Sequence, residues 1–337
     1  MQKALNFGKV PYKELKDTVF KHLGMKNDKV ILGPKVGEDG AIINIGSKFL
    51  VISTDPITGA TKNVGWLSVH INANDIASFG VKPSWYLCSI LLPKNSRKKL
   101  ISEIMSEIDK ACKELGIAVI GGHSEVSAGL NRPIVFGTMI GETKKTRYVT
   151  SSGTKPGDKI ILTKSIGLEG TSILANDFYD VLKNKIDNQI LKRGRDFIQH
   201  ISVVNEALIA MKVGGVSAMH DLTEGGLLNG LWETAEASKT GIKIFEEKIS
   251  VKEETKKICK ALGIDFLGLL SSGALMICCR PDKAFQILSA LENSNIYASI
   301  IGETTSLEEG RFMIRDNGKR VKINPLAQDE IYKVLGD

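Results

Sequence analysis

Eighteen consecutive residues, Val64 to Val81, carry one formal charge, Asp75. Read as a helix that ends at Gly80, with Pro83 just beyond, the segment has no polar face to offer water. It belongs in an interior, and a carboxylate there must be paired, protonated, hydrogen-bonded or metal-bound. Asn72 and Asp75 stand three apart on one helical face, so an amide oxygen and a carboxylate could reach the same ligand. A buried Asp accepting hydrogen bonds from a neighbouring loop is the plainer alternative.

The rest of the chain alternates strand-like with helix-like stretches. Lys48–Thr54 reads as a strand ending at Asp55-Pro56, because a proline disfavours helix at the residue before it. Ser84–Leu92 is a strand, and Asn95–Leu115 an amphipathic helix stopped by Gly116. Ile117–Ile120 reads as a short buried strand running into a Gly121-Gly122 loop. Pro133–Ile140 is a strand closed by Gly141-Glu142-Thr143. Polar residues cluster from Lys144 to Asp158, which places a domain boundary at 150/151. The expected domains are 1–150 and 151–337, in line with 337 residues and about 150 per domain. Beyond the boundary, Lys159–Thr163, Leu275–Cys279 and Tyr297–Ile301 read as strands, and Val203–Met211 and Lys283–Leu291 as helices. Gly-Glu-Thr recurs at 302–304, a weak internal echo. The fold class expected is α/β (α+β) in two halves.

Several function classes drop out. The start, MQKALNFGKVPYKELK, has no apolar stretch for a secretory signal, and Phe266–Cys279 is too short for a membrane span. Five cysteines without a C-x-x-C pair fit buried thiols in a reducing cytoplasm. Lys+Arg minus Asp+Glu is 45 − 38 = +7. The basic residues are scattered or in short patches such as Arg97-Lys98-Lys99 and Lys144-Lys145, without interleaved aromatics. They read as a solvated surface, with no nucleic-acid or membrane partner.

The P-loop, the dinucleotide fingerprint, the nucleophile elbow and the zinc helix are all missing. Instead, carboxylates recur beside glycines, of which there are 33. Asp39 lies in Gly37-Glu38-Asp39-Gly40-Ala41 ahead of an apolar run, and Asp55 closes a strand. Gly121-Gly122-His123-Ser124-Glu125 could bring backbone N–H groups to an anion and present His123 or Glu125 to it. In His220-Asp221-Leu222-Thr223-Glu224-Gly225-Gly226-Leu227, Asp221 suits an N-cap and Glu224 a partial capping box. Gly225 and Gly226 are unexplained by capping, since each costs about 1 kcal/mol relative to alanine in a helix. They make sense if a phosphate or a neighbouring backbone packs against that turn.

These strings, with Thr54-Asp55 and Asn74-Asp75, occur in an order that resembles one superfamily. It groups aminoimidazole ribonucleotide (AIR) synthase, selenophosphate synthetase, thiamine-monophosphate kinase and hydrogenase-maturation protein E. The resemblance runs from about residue 30 to 305. It implies an N-terminal α/β domain that forms a β-barrel at a homodimer interface, and a C-terminal α+β domain. ATP would lie in a cleft between the halves. By the same resemblance Asp39, Asp75 and Asp221 would hold Mg²⁺. Asp55, Asn74, Gly121, Gly122, Thr223, Gly225, Gly226 and Lys9 would bind ATP. His123, Glu125 and His220 are catalytic candidates by position. Two departures stand out. Hydrogenase-maturation proteins end in a cysteine, whereas this sequence ends Tyr332-Lys333-Val334-Leu335-Gly336-Asp337. Selenophosphate synthetases carry Cys or selenocysteine near a Lys in an N-terminal glycine-rich loop, whereas here Lys9 precedes the first cysteine, Cys88, by many residues. The expected function is a Mg²⁺-dependent, ATP-binding enzyme that activates or phosphorylates a small acceptor. The alternative is a nucleotide-binding accessory protein of reduced turnover.

Overall fold

The computed structural model describes residue 5 and residues 7–335, so Gly336 and Asp337 lie outside the described residues. Two mixed sheets carry the architecture. The first contains β1 (Val30–Leu32), β2 (Ala41–Asn44), β3 (Lys48–Ile57), β4 (Pro83–Leu92), β5 (Ala118–Val126) and β6 (Ile134–Lys144), in the order β1-β2-β3-β6-β4-β5. The second contains β7 (Lys159–Thr163), β8 (Val216–Asp221), β9 (Gly241–Phe245), β10 (Leu275–Cys279), β11 (Ala298–Thr305), β12 (Arg311–Ile314) and β13 (Arg320–Lys322), in the order β13-β12-β9-β11-β7-β10-β8. Both sheets are open, with no closed barrel among the described residues. The barrel expected at a dimer interface is not formed by the described residues of one chain.

Helix α1 (Val64–Ser78) is the apolar segment, and all fifteen of its residues are buried. It packs on β3 and β6 of the first sheet, on α2 (Lys98–Leu115), and on β8 and the helix Val204–Val213 of the second half. A helix without a polar face is stable only when enclosed in this way. Because elements from both halves enclose it, one apolar core runs from Ile42 to Ile331.

Several boundaries differ from the sequence reading, each for a local reason. β3 runs through Pro56 to Ile57. β2 pairs with it only as far as Ile52, so beyond that point β3 has a neighbour on one side and a missing N–H is tolerated. Helix α2 starts at Lys98, after Asn95 takes a left-handed conformation at φ 69°. β5 was expected to be a short buried strand entering a glycine loop. It continues through Gly121 and Gly122 to Val126 as a fully exposed edge strand. It pairs in parallel with β4, and a Cβ on Gly122 would stand 2.0 Å from the Cys88 carbonyl oxygen. The glycine permits that close pairing.

The Gly-Glu-Thr echo has a structural counterpart. Gly141 and Gly302 both lie in interior strands of their sheets, where a Cβ would meet backbone at 2.8 Å and 2.2 Å. Glu142 pairs with Lys48, and Glu303 pairs with Lys159, on the neighbouring strand in each case. All five cysteines are buried and free, and no described helix is long and apolar enough to cross a membrane.

Candidate functional site

A cleft of about 1320 Å³ opens between the first sheet and helices and loops of the second half. Its floor gathers the carboxylates that the sequence left isolated. Asp75 projects from α1, is 3% exposed, and accepts a hydrogen bond from the Ser53 hydroxyl. Asp55 stands on β3, held there by Asn72. The Asn72 amide oxygen accepts the Asp55 N–H at 2.9 Å, and its NH₂ donates to the carbonyls of Asp55 and Ser68 at 3.2 and 2.9 Å. Gly137 leaves room for this, since a Cβ there would lie 2.3 Å from the Asn72 amide nitrogen. Asn72 therefore positions Asp55 and does not share a ligand with Asp75.

His220 and Asp221 end β8, directly behind Asp39. The His220 ring is buried between two carboxylates, with Nδ1 2.9 Å from Asp39 and Nε2 3.1 Å from Glu233. Burial opposes a charged imidazole, but the two carboxylates outweigh it and raise His220 well above its ordinary range. Both ring nitrogens then donate. Lys9 adds a second cation, 3.2 Å from Glu233. Glu233 is consequently held at about 2: desolvation works against its charge, and Lys9 and His220 more than compensate.

The remaining carboxylates have no such partners. Asp221 is 1% exposed and neither of its carboxylate oxygens has a hydrogen-bond partner. Burial first, then Asp39, raises it far above the usual carboxylate range. Asp75 is raised likewise, by burial and then by Asp55, Asp221 and Asp39. Burial brings Asp55 to about 6, with Asp39 and Glu224 adding to the rise against Lys9. Oxygen donors of Asp39 and Asp221 and the His220 ring come within 4.8 Å of one another. His220 has no lone pair free while it bridges two carboxylates, so the open donors are oxygens. Converging carboxylates, Asp221 among them with both oxygens orphaned, match a hard divalent cation such as Mg²⁺.

At the cleft mouth Glu224 joins the two chain ends. It accepts the Lys9 backbone N–H at 2.6 Å and the Tyr332 hydroxyl at 3.0 Å.

The sequence-predicted residues thus divide. Lys9, Asp39, Asp55, Asp75 and Thr223 line the cleft, and His220 and Asp221 lie beneath it. Asn74 is elsewhere: its amide donates to the Ile201 carbonyl and accepts the Val203 N–H, both at 2.8 Å. One helical step of about 100° turns it away from the Asp75 side. Gly121, Gly122, His123 and Glu125 lie on exposed β5 and do not line the cleft; His123 and Glu125 pair with each other at 3.2 Å. Asp221 is the last residue of a strand and caps no helix, because helix α3 (Gly226–Ser238) begins after a left-handed Gly225 with no side-chain cap. The Gly225-Gly226 turn does not line the cleft and packs against protein, Gly225 against the Asn229 and Asp329 side chains and Gly226 against backbone. The Gly225 N–H donates to Asp329 at 2.6 Å, and a Cβ on Gly226 would lie 2.5 Å from the Leu269 carbonyl oxygen. Glu233 and Glu169, both in the cleft wall, were missed. Glu169 carried the signal that exposed Asp75, a single charge in the apolar run Ile166–Ala175.

The chain matches two family models: "AIR synthase related protein, N-terminal domain" over residues 37–143, and "AIR synthase related protein, C-terminal domain" over 155–315. A putative hydrogenase expression/formation protein of Methanocaldococcus jannaschii is 29% identical over 333 residues, covering 95% of each chain. Carbamoyl dehydratase HypE of Azotobacter vinelandii is 28% identical over 279 residues, covering 78% of this chain and 77% of its own. The crystal structure of hydrogenase maturation protein HypE in complex with ATP superposes with a TM-score of 0.70 at 22% identity, covering 97% of this chain and 98% of that one.

Proposed function

The chain belongs to the AIR synthase related family, and from that premise we propose that it is a Mg²⁺-dependent, ATP-binding enzyme that activates or phosphorylates a small acceptor. The observation that carries this is the Asp221 carboxylate, buried with both oxygens unpartnered among Asp39, Asp55 and Asp75. The ATP held by the HypE structure and the dehydratase activity in the name of the Azotobacter relative support the reading.

Asp39, Asp75 and Asp221 would hold the ion, which when bound supplies charge neutralisation for phosphate oxygens. Asp55, kept in place by Asn72, faces the same space. Lys9, half-exposed and anchored through Glu233 and Glu224, is placed to lie along an anionic ligand. His220 serves as a buried cation that fixes Asp39 and Glu233, because an imidazolium donating from both nitrogens cannot accept a proton. We assign the division at 150/151 to two halves of one cleft. We also propose that β5, an exposed edge with Val119, Ile120 and Val126 uncovered, pairs across a homodimer.

The alternative of an accessory nucleotide-binding protein keeps one observation in its favour. The five cysteines are buried, and burial pushes the Cys112, Cys259 and Cys279 thiols up to about 12, so no thiolate among the described residues faces the cleft. Titration calorimetry of ATP with and without Mg²⁺ tests the main reading. Mg²⁺-dependent binding is expected, and absence of binding by folded protein overturns it. Product analysis with small acceptors separates turnover from mere binding.

A further inference from the structure

The cleft has a second polar corner that the cation-binding carboxylates leave unused. Glu169 lies in the first turn of the helix Leu168–Asp177, is 5% exposed, and its Oε2 has no hydrogen-bond partner. The hydroxyl of Ser272, fully buried, stands beside the carboxylate, supports its charge, and has no other hydrogen-bond partner. Both line the cleft, with Ile173 and Leu270 next to them. The corner is rigidly built. The Gly170 N–H donates to the Leu270 carbonyl at 3.0 Å, and the Gly167 N–H to the Ser271 hydroxyl at 2.8 Å. A carboxylate oxygen without a partner and a buried hydroxyl beside it, with Ile173 and Leu270 next to them, mark a place for a ligand group.

The surrounding charge selects the chemistry. Apart from the Ser272 hydroxyl, which favours its charge, the groups acting on the Glu169 carboxylate are Asp329, Glu224 and Asp55, all acidic, with no lysine or arginine among them. Burial and these neighbours push Glu169 up to about 7, so a bound cation would be needed to stabilise its charge. A phosphate or carboxylate would meet only repulsion there.

We propose that Glu169 and Ser272 form the acceptor subsite and receive a cationic nitrogen group, an alkylammonium or guanidinium, in contact with the Glu169 carboxylate. This deepens the ATP-dependent reading, since it names the class of acceptor that the cleft would present to the nucleotide. The test uses the full chain and three matched probes, n-butylammonium, n-butylguanidinium and n-butyrate, followed by ligand-observed NMR. Binding of a non-hydrolysable ATP analogue with Mg²⁺ is measured first and separately. Failure of that step removes the nucleotide reading, while the probe titration still decides the subsite. The two cations should bind saturably and butyrate should not. Glu169→Gln, which keeps the shape, should weaken cation binding by about tenfold or more, as expected for losing a charge-assisted bond. Ser272→Ala should weaken it less, and thermal unfolding should show both variants folded. Butyrate binding as well as butylammonium, or a folded Glu169→Gln variant that binds the cations like the parent, would overturn the proposal.

Discussion

Two sets of carboxylates share one cleft and are treated in opposite ways. Asp39 and Glu233 are paired from within the protein, by His220 between them and by Lys9 against Glu233. Asp75 and Asp221 are more deeply buried, yet Asp221 has no partner and Asp75 has only a serine hydroxyl. Burial costs a lone carboxylate several kcal/mol unless a proton or cation arrives. The fold therefore completes the electrostatics of the first set and leaves the second to be completed from outside. The contrast is what marks the open set as the ligand-binding one, joined by Asp39 through the oxygen that His220 does not take.

The most severe way to break this contrast is to remove the internal cation. His220→Ala leaves Asp39 and Glu233 facing each other without their bridge. Loss of a buried charge partner costs roughly 3–5 kcal/mol, which urea denaturation should read directly. A cost below about 1 kcal/mol, the range of exposed pairs, would mean that the two carboxylates do not depend on His220.

Removing a member of the open set should do the reverse. Asp221→Asn keeps the shape and deletes the uncompensated charge, so metal-free protein should unfold at the same temperature as the parent or above it. Mg²⁺-dependent nucleotide binding should fall by about 100-fold, at or beyond the upper end seen for groups that merely support metal ligands. Calorimetry and thermal unfolding on the same sample check both halves. A variant that loses stability and keeps its affinity would place Asp221 in the internally paired set.

How far the sequence could reveal this division depends on which signals are local. Asp75 was legible because one charge in an apolar helix has few explanations, and the structure buries it as that pattern requires. The element types along β3, α1, β4 and β7 were legible from periodicity. The resemblance assigns Asn74 to the nucleotide alongside Asp75, but a helix turns neighbours apart, and its amide clamps residues 201–203. Gly121-Gly122 looked like an anion loop because close backbone approach and a tight turn use the same residue type. Here the approach is to the β4 backbone. Glu233 lay beyond reach, since its role arises from His220 and Lys9, one 13 and the other 224 residues away.

Asn74 gives a third and smaller test. Asn74→Ala strands a buried carbonyl and a buried N–H between α1 and the second half. The expected loss is about 2 kcal/mol of stability, the typical penalty for unsatisfied buried groups. Nucleotide affinity should stay within about twofold of the parent, well under the tenfold that 1.4 kcal/mol represents. A larger affinity loss in folded protein would return Asn74 to the ligand site.

The last test moves the contrast out of the cleft. His70, on α1, is 1% exposed, lies with its ring centroid 4.3 Å from that of Trp66 at a tilt of 47°, and has no partner on either nitrogen. Like Asp221 it is an unpaired buried ionisable group, but it is not among the residues lining the cleft. Burial, and then Lys164, lower it to about 3, so it stays neutral in the fold. Its unfolded value is near 6.5, so below that pH the unfolded chain binds the extra proton and the folded chain does not. Stability from this group is full above pH of about 6.5 and is lost progressively as pH falls toward about 3, by at most about 1.4 kcal/mol per pH unit. His70→Phe keeps an aromatic ring against Trp66 and removes the titration, so the parent's stability should fall more steeply with acid than the variant's across that window. The slope is the quantity to compare, because a Phe in place of His also changes the packing by a pH-independent amount. Asp75 and Asp221, raised by burial, act in the opposite sense and lose stability as pH rises, but they are common to both proteins. Added Mg²⁺ should not alter the His70 difference, whereas it should stabilise the parent through Asp75 and Asp221 at neutral pH. A metal-dependent His70 slope would mean that the core and the cleft are not electrostatically separate.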